Sequence, residues 1–194
     1  MMNGPSVVLT GFMATGKTTV GRVLADRLGY RFVDTDAVIT ERHGPIPAIF
    51  AQQGEGAFRR IEREVAAELA GQPGLVVATG GRLMLDPANV ATLGAPPAVV
   101  VCLQASAEAI VARLRTDATG VEDRPMLAGD DPERRVRDLL AERADGYGRF
   151  PPVPTEGRTP GEIADEIAAL VVADTASAST SASTSASTSV SAPD

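Results

Sequence analysis

Gly11-Phe12-Met13-Ala14-Thr15-Gly16-Lys17-Thr18 is the stretch on which the fold turns. It fits the pattern G-x-x-x-x-G-K-[ST] in full, and its surroundings fit too. Val7-Val8-Leu9 before it has the make-up of a buried strand, and Val20, Val23, Leu24 and Leu28 after it recur on one face of a helix. Glycines in a strand–loop–helix turn let successive backbone N–H groups point inward at phosphate oxygens, and the following helix turns its positive end toward the same anion. Lys17 adds a full charge for the outer phosphates, and the Thr18 hydroxyl is a hard oxygen ligand for Mg²⁺. Gly11, Ala14, Thr15, Gly16, Lys17, Thr18 and Thr19 therefore form the expected cradle for a nucleotide such as ATP. The motif names the ligand class and no reaction.

Outward from the loop, apolar runs alternate with helical patterns. Phe32-Val33 ends at Asp34, Leu75–Ala78 ends at Thr79-Gly80-Gly81, Val99–Leu103 follows, and Val153 marks a short last strand. Helical spacing covers 36–42, 46–53, 58–70, 107–114, 132–147 and a final stretch from Thr159-Pro160 whose buried stripe is Ile163, Ile167, Leu170 and Val171. Strands apolar on both faces, each followed by a helix, imply an α/β fold. It is a three-layer α/β/α sandwich around a central parallel sheet, of the P-loop NTPase, nucleoside-monophosphate-kinase-like type. Residues 1–172 form a single P-loop domain with a glycine-containing lid at about 116–131. Residues 173–194, a Ser/Thr/Ala repeat with almost nothing to bury, are expected to be disordered.

The net charge of −7 gives no general attraction for nucleic acid or an anionic membrane, so any anionic ligand must be held by a local cluster of Arg and Lys. No window approaches the ~20 apolar residues of a bilayer span, and no leader pattern is evident at Met1–Pro5. The single cysteine, Cys102, lies in an apolar run, which suits a core residue in a reducing compartment. The expectation is a cytoplasmic protein without nucleic-acid or membrane partners. His43, the one histidine, falls at a helix end with no Cys beside it and is expected to bind no metal.

Asp34-Thr35-Asp36 closes the second strand, and ligands of such sheets bind beyond the strands' C-terminal ends. One carboxylate can order a metal through water while the other accepts a proton from an attacking hydroxyl. Equally, Asp36 can be the cap of the next helix. Taken with Thr19-Val20-Gly21-Arg22, Ile49-Phe50, Gly54-Glu55, Phe58-Arg59-Arg60-Ile61-Glu62, Ala78-Thr79-Gly80-Gly81, Arg124-Pro125-Met126-Leu127 and Arg143 before Tyr147, the chain resembles the shikimate kinase family over about residues 6–172.

That family transfers the γ-phosphoryl group of ATP, with Mg²⁺, to the 3-hydroxyl of shikimate. The resemblance implies that Asp36 contacts the substrate hydroxyls as the base, with Lys17 and Arg124 completing the catalytic set, and that Asp34 and Thr18 serve the metal. It further implies that Arg59 and Arg143 bind the substrate carboxylate and that Gly80 and Gly81 let the backbone approach the ring. Arg124 would lie in the lid, and Arg113 and Arg158, the latter within Thr155–Pro160, would flank adenine. A small acidic substrate and a monomeric enzyme are what the family suggests.

Three features depart from the family pattern. Arg82 stands where a third glycine is usual, Ala144-Asp145-Gly146-Tyr147 replaces a Pro-Leu-Tyr sequence, and Gly44-Pro45-Ile46-Pro47 is a shorter, stiffer connection. Arg82 can block the substrate pocket, reshape it, add an anion contact or point away, since neighbours in extended backbone face opposite ways. The alternatives are therefore a related kinase for another hydroxy acid, sugar acid or cyclitol, or an inactive nucleotide-binding module.

Overall fold

A computed structural model describes residues 4–116 and 131–185, with side chains through residue 173. The strands are β1 Val7–Gly11, β2 Arg31–Asp34, β3 Leu75–Ala78, β4 Val99–Gln104 and β5 Pro152–Pro154. They form one sheet in the order β2-β3-β1-β4-β5, with every neighbouring pair parallel. The helices are α1 Lys17–Leu28, α2 Thr35–His43, α3 Ile46–Leu69, α4 Pro87–Thr92, α5 Ala107–Thr116, α6 Pro132–Glu142, α7 Ala144–Tyr147 and α8 Pro160–Ser185, with a 3-10 turn at Leu83–Leu85.

Alternation along the strands divides the core in two. Val8, Val77 and Cys102 face one side, where they join Ile39 of α2, Phe58, Ile61 and Val65 of α3, and Ile110 of α5. Val7, Leu9, Val76, Val101 and Leu103 face the other, against Val20 and Leu24 of α1 and Ile163 and Ile167 of α8. Both faces of β1 are covered, so all five of its residues are buried. Cys102 is a core residue, and burial pushes its thiol up to about 11.

The order of the sheet positions the site. The chain leaves β1, builds β2, returns beside β1 as β3, and crosses to the other flank for β4. At that reversal the loops after β1, β2 and β3 open onto one crevice. Backbone pairing ties their ends together: Thr79 N–H donates to the Leu9 carbonyl at 3.1 Å.

Several elements differ from the sequence expectation. The two helices expected over 46–53 and 58–70 join end to end as α3, broken only at Gly54, whose φ of 79° no helix accommodates. The helix expected over 132–147 is interrupted at Arg143, φ −101° and ψ 2°, giving α6 and α7. The 3-10 turn and α4 were not foreseen; they are short, and the Asp86 side chain caps α4 by accepting from Ala88 N–H at 2.9 Å.

The backbone of α8 runs to Ser185, past residue 172 where the ordered chain was expected to end. An existing helix needs no new nucleus to continue, and Ala with Ser extends one at little cost per residue. Residues 117–130, which hold Arg124 and most of the expected lid, and 186–194 of the tail lie outside the described residues. Among the described residues no helix is long and apolar enough to cross a membrane.

Candidate active site

The loop between β1 and α1 closes around its own lysine. Lys17 Nζ donates to the carbonyls of Gly11 at 2.9 Å and Phe12 at 2.8 Å, and Thr15 Oγ1 donates to the Phe12 carbonyl at 2.8 Å. Gly16, with φ 96°, turns the chain into α1, whose first N–H groups have no side-chain cap and so remain for an anion. Enclosure lowers the Lys17 pKa to about 8, although the Asp36 and Asp34 carboxylates pull it back up. An ammonium so weakly solvated gains strongly from phosphate oxygens.

The two aspartates take different roles. Asp34, not Asp36, caps α2: its Oδ1 accepts from the N–H groups of Asp36 at 3.1 Å and Ala37 at 3.3 Å. Its Oδ2 accepts from Thr18 Oγ1 at 2.8 Å. A hydroxyl and a carboxylate held together beside the phosphate cradle are hard oxygen donors, and they suit Mg²⁺, which takes one or two protein oxygens and completes its shell with phosphate and water. Among the described residues no group of three or more His, Cys, Asp or Glu is placed to hold a metal ion. When bound with ATP, the ion would neutralise phosphate charge at Thr18 and Asp34.

Asp36 is left uncommitted by the capping and points into the crevice. Its pKa is raised, chiefly by burial and further by Asp34, against the opposing pull of Lys17 and Arg59. Lys17, Thr18, Asp34, Asp36, Gly81 and Arg143 line one cavity of about 440 Å³, a size suited to a small metabolite with transferable phosphate. Asp36 and Lys17 thus share one chamber.

Of the two arginines expected at the substrate carboxylate, Arg143 lines this cavity and Arg59 does not. Arg59 Nη1 donates to Glu62 Oε2 at 2.6 Å, while its Nε and Nη2 donate to Glu55 Oε1 at 3.2 and 2.9 Å. Glu62 is buried, and its pKa is raised, chiefly by that burial and further by Asp36, against the opposing pull of Arg59. The Arg59 guanidinium also lies 5.2 Å from the centre of the Phe58 ring. Arg143, at the break between α6 and α7, sits 5.1 Å over the Phe12 ring, and among the described residues its buried Nε has no hydrogen-bond partner. A half-buried guanidinium that lines a cavity and keeps an enclosed Nε–H without a partner can receive an anion there.

The glycines after β3 are unequal. A Cβ at Gly80 would lie 2.7 Å from Asp36 Oδ1 and 3.2 Å from Glu62 Oε1, so a larger residue there must push the Asp36 carboxylate aside. At Gly81 the nearest atoms would be 3.8 and 3.9 Å away, and the pressure for glycine from the protein side is absent. Two residues not singled out from the sequence hold this turn. Thr35 Oγ1 accepts from Gly80 N–H at 2.9 Å, and Tyr147 Oη donates to the Gly81 carbonyl at 2.7 Å. Thr35 was hidden by the aspartates on either side of it, and Phe12 by its place among the variable positions of the loop motif.

On the other side of the loop Thr15, Gly16, Thr19, Arg113, Thr155 and Arg158 border a second cavity of about 250 Å³. Gly16 and Thr19 line both cavities, so the two spaces meet across the phosphate cradle. Arg113 ties this region together: its Nη1 donates to the Ala14 carbonyl at 3.1 Å and Thr155 Oγ1 at 3.0 Å, and its Nη2 to the Thr155 carbonyl at 3.0 Å. Arg158 Nη1 donates to the Pro154 carbonyl at 3.0 Å, and its Nη2 pairs with Glu166 at 2.6 Å. A smaller cavity of about 160 Å³ near Gly4, Gln72 and Pro97 is lined by no ionisable side chain and offers no chemistry.

The sequence departures leave the chamber open. Arg82 is half-exposed, lies 3.8 Å from Glu55 and does not line the 440 Å³ cavity. Asp145 is exposed on α7 and also does not line it. Gly146 is matched to Leu85: a Cβ there would come within 2.5 Å of the Leu85 side chain, so α7 and the 3-10 turn pack as one unit. Gly44, at φ 85°, ends α2, and Pro45 starts α3 directly.

A phosphate chain held at Lys17 and an alcohol held at Asp36 would meet inside a single chamber, which is the working geometry of a P-loop kinase for small molecules. The shikimate kinase family model matches residues 13–172. A shikimate kinase of a Synechococcus species is 45% identical over 149 residues, covering 76% of this chain and 74% of the relative. One from Geobacter sulfurreducens is 45% identical over 146 residues, covering 75% and 78%. The crystal structure of shikimate kinase from Acinetobacter baumannii in complex with shikimate superposes with a TM-score of 0.79 at 34% identity, covering 89% of this chain and 96% of that one. The chain belongs to the shikimate kinase family and is an ATP-dependent kinase that uses Mg²⁺.

Proposed function

We propose that the chain phosphorylates the 3-hydroxyl of shikimate in the chamber lined by the phosphate loop, Asp36, Gly81 and Arg143, with Asp36 as general base. The observation that carries this reading is the convergence over Gly80. Asp36 Oδ1 and Glu62 Oε1, the latter on the carboxylate that orients Arg59, would both lie within 3.2 Å of one Cβ there. The base for a hydroxyl and the guanidinium for a carboxylate are thereby spaced for one small hydroxy acid.

In this reading Arg59 and Arg143 fix the acid's carboxylate, Arg143 through the donor that the protein leaves unpaired. Gly80 and Gly81 admit the ring. Lys17 and the N–H groups of the loop hold the phosphates, Thr18 and Asp34 hold the metal, and Arg113 and Arg158 shape the adenine pocket. Arg124, outside the described residues, is assigned to the lid as a cation for the phosphates. Little covalent chemistry is asked of the protein; positioning and charge neutralisation carry the rate. The reading also makes the enzyme a cytoplasmic monomer with no nucleic-acid or membrane partner, in line with the net charge of −7.

Shikimate is favoured over other acids because Arg82 and Asp145, the charged departures from the family, do not line the cavity. The Acinetobacter relative binds shikimate. Product identification tests the assignment: with Mg-ATP and a panel of shikimate, sugar acids and cyclitols, shikimate 3-phosphate is the expected product. Turnover of another acceptor with none of shikimate would overturn it.

A further inference from the structure

The outer edge of Arg59 carries an internal carboxylate. Glu55 Oε1 accepts from Arg59 Nε at 3.2 Å and Nη2 at 2.9 Å, and Arg82 Nη1 stands 3.8 Å from the same oxygen. The other carboxylate on Arg59 is of a different kind. Glu62 is buried, with side-chain exposure of 3%, and fixed, whereas Glu55 is exposed at 56% and follows directly on the break at Gly54. Glu62 takes one of the five N–H donors of Arg59 and Glu55 takes two, so Glu55 holds the Nε–Nη2 edge along which a carboxylate binds side-on. A substrate carboxylate seated on that edge displaces Glu55, the exposed one of the two. At 3.8 Å Arg82 is within ion-pair reach of Glu55 but beyond a hydrogen bond, so a shift of about one ångström would complete the contact.

We propose that Glu55 occupies Arg59 in the empty enzyme and passes to Arg82 when the substrate carboxylate takes its place. Arg82 is then a positioning residue, acting on the substrate through Glu55 and Arg59, and Glu55 is a selectivity element. An anionic ligand displaces Glu55 by supplying the same charge; a neutral analogue leaves Arg59 paired and binds poorly. The inference rests on Arg59 being the carboxylate site.

A double-mutant cycle tests it, read as KM for shikimate, KM for the neutral carboxamide of shikimate, and KM for ATP. In the parent, Arg82→Ala is expected to raise KM for shikimate by about two- to five-fold, the scale of one exposed ion pair, while KM for ATP stays unchanged. Arg82→Lys, which keeps the charge, is expected to hold KM for shikimate near the parent value. In a Glu55→Gln background Arg82→Ala is expected to have no effect, and Glu55→Gln alone should narrow the gap between shikimate and the carboxamide. An equal effect of Arg82→Ala in both backgrounds would mean direct contact with substrate, and no effect in either would make Arg82 a bystander; each overturns the hand-off. Arg59→Lys, measured alongside, separates this inference from its premise. Unchanged KM for shikimate in that variant removes the carboxylate site itself, whereas raised KM there with no coupling between Glu55 and Arg82 removes the hand-off alone.

Discussion

Replacing Gly80 by Ala tests the central geometry with the smallest possible change. The new Cβ would lie 2.7 Å from Asp36 Oδ1, and ordinary contact begins at 3.4 Å, so the carboxylate must retreat by about 0.7 Å. It cannot do so freely. Asp36 sits one residue into α2, whose start is pinned by the Asp34 cap and by Thr35 accepting from Gly80 N–H at 2.9 Å. On the other side the Cβ meets Glu62 Oε1 at 3.2 Å, and Glu62 is buried and paired with Arg59. A misplacement near 1 Å at a reacting group costs on the order of 10²-fold in rate, so kcat should fall roughly ten- to a hundred-fold. Overpacking should also cost about 1–3 kcal/mol in stability. Steady-state kinetics at saturating Mg-ATP and shikimate, with a denaturant melt as control, measure both. KM for ATP should hold, because the phosphate loop is untouched. Gly81→Ala is the matched control: its Cβ finds 3.8 Å of clearance from the protein, so stability should hold and any loss should fall on KM for the acid. A Gly80→Ala enzyme with parent kcat would show that Asp36 does not need its position, and the assignment of the base would go with it.

Asp36→Asn should keep ATP binding and lower kcat by about 10²–10⁴-fold, the span of general-base catalysis, as measured by single-turnover phosphoryl transfer; normal turnover would remove Asp36 from the mechanism. The pH dependence of kcat/KM for ATP, which reports the free enzyme, should be bell-shaped. Activity should fall below a pH set by Asp36, whose pKa burial raises from that of an ordinary aspartate, and fall again above about 8 as Lys17 loses its proton. In kcat the alkaline limb should move upward, since bound phosphate favours the charged lysine; an unmoved limb would assign it to another group. Arg113→Ala, which removes one hydrogen bond to the phosphate loop and two to Thr155, should raise KM for ATP roughly tenfold, or ~1.4 kcal/mol, and leave KM for shikimate alone.

What could be known in advance was local. The phosphate loop, the strand alternation and the helical stripes are short-range patterns, and most of each was found in place: Gly16 turning into α1, β1 buried on both faces, Ile163, Ile167 and Val171 buried in the core, whereas Leu170, expected in the same stripe, is exposed. The position of the chemistry at strand ends follows from the parallel sheet itself. Residue types also limited the substrate side, because an acidic chain that binds an acid must assemble arginines to do so.

The tertiary structure decided what depends on residues far apart in the chain. Asp34 and Asp36 are alike on paper, and only the start of α2 makes one the cap and leaves the other free. Gly80 and Gly81 are neighbours of the same type, yet only Gly80 faces the carboxylates of α2 and α3. Arg113 gave no hint of its bond to Ala14, 99 residues earlier, and Arg143 none of its seat over Phe12. Arg82 showed a charge but not a direction; its neighbour Glu55 is brought to it by the packing of α3 against the turn after β3. Local sequence sets which conformations a segment prefers, whereas the partner of a side chain across the fold is chosen by the packing of the whole core.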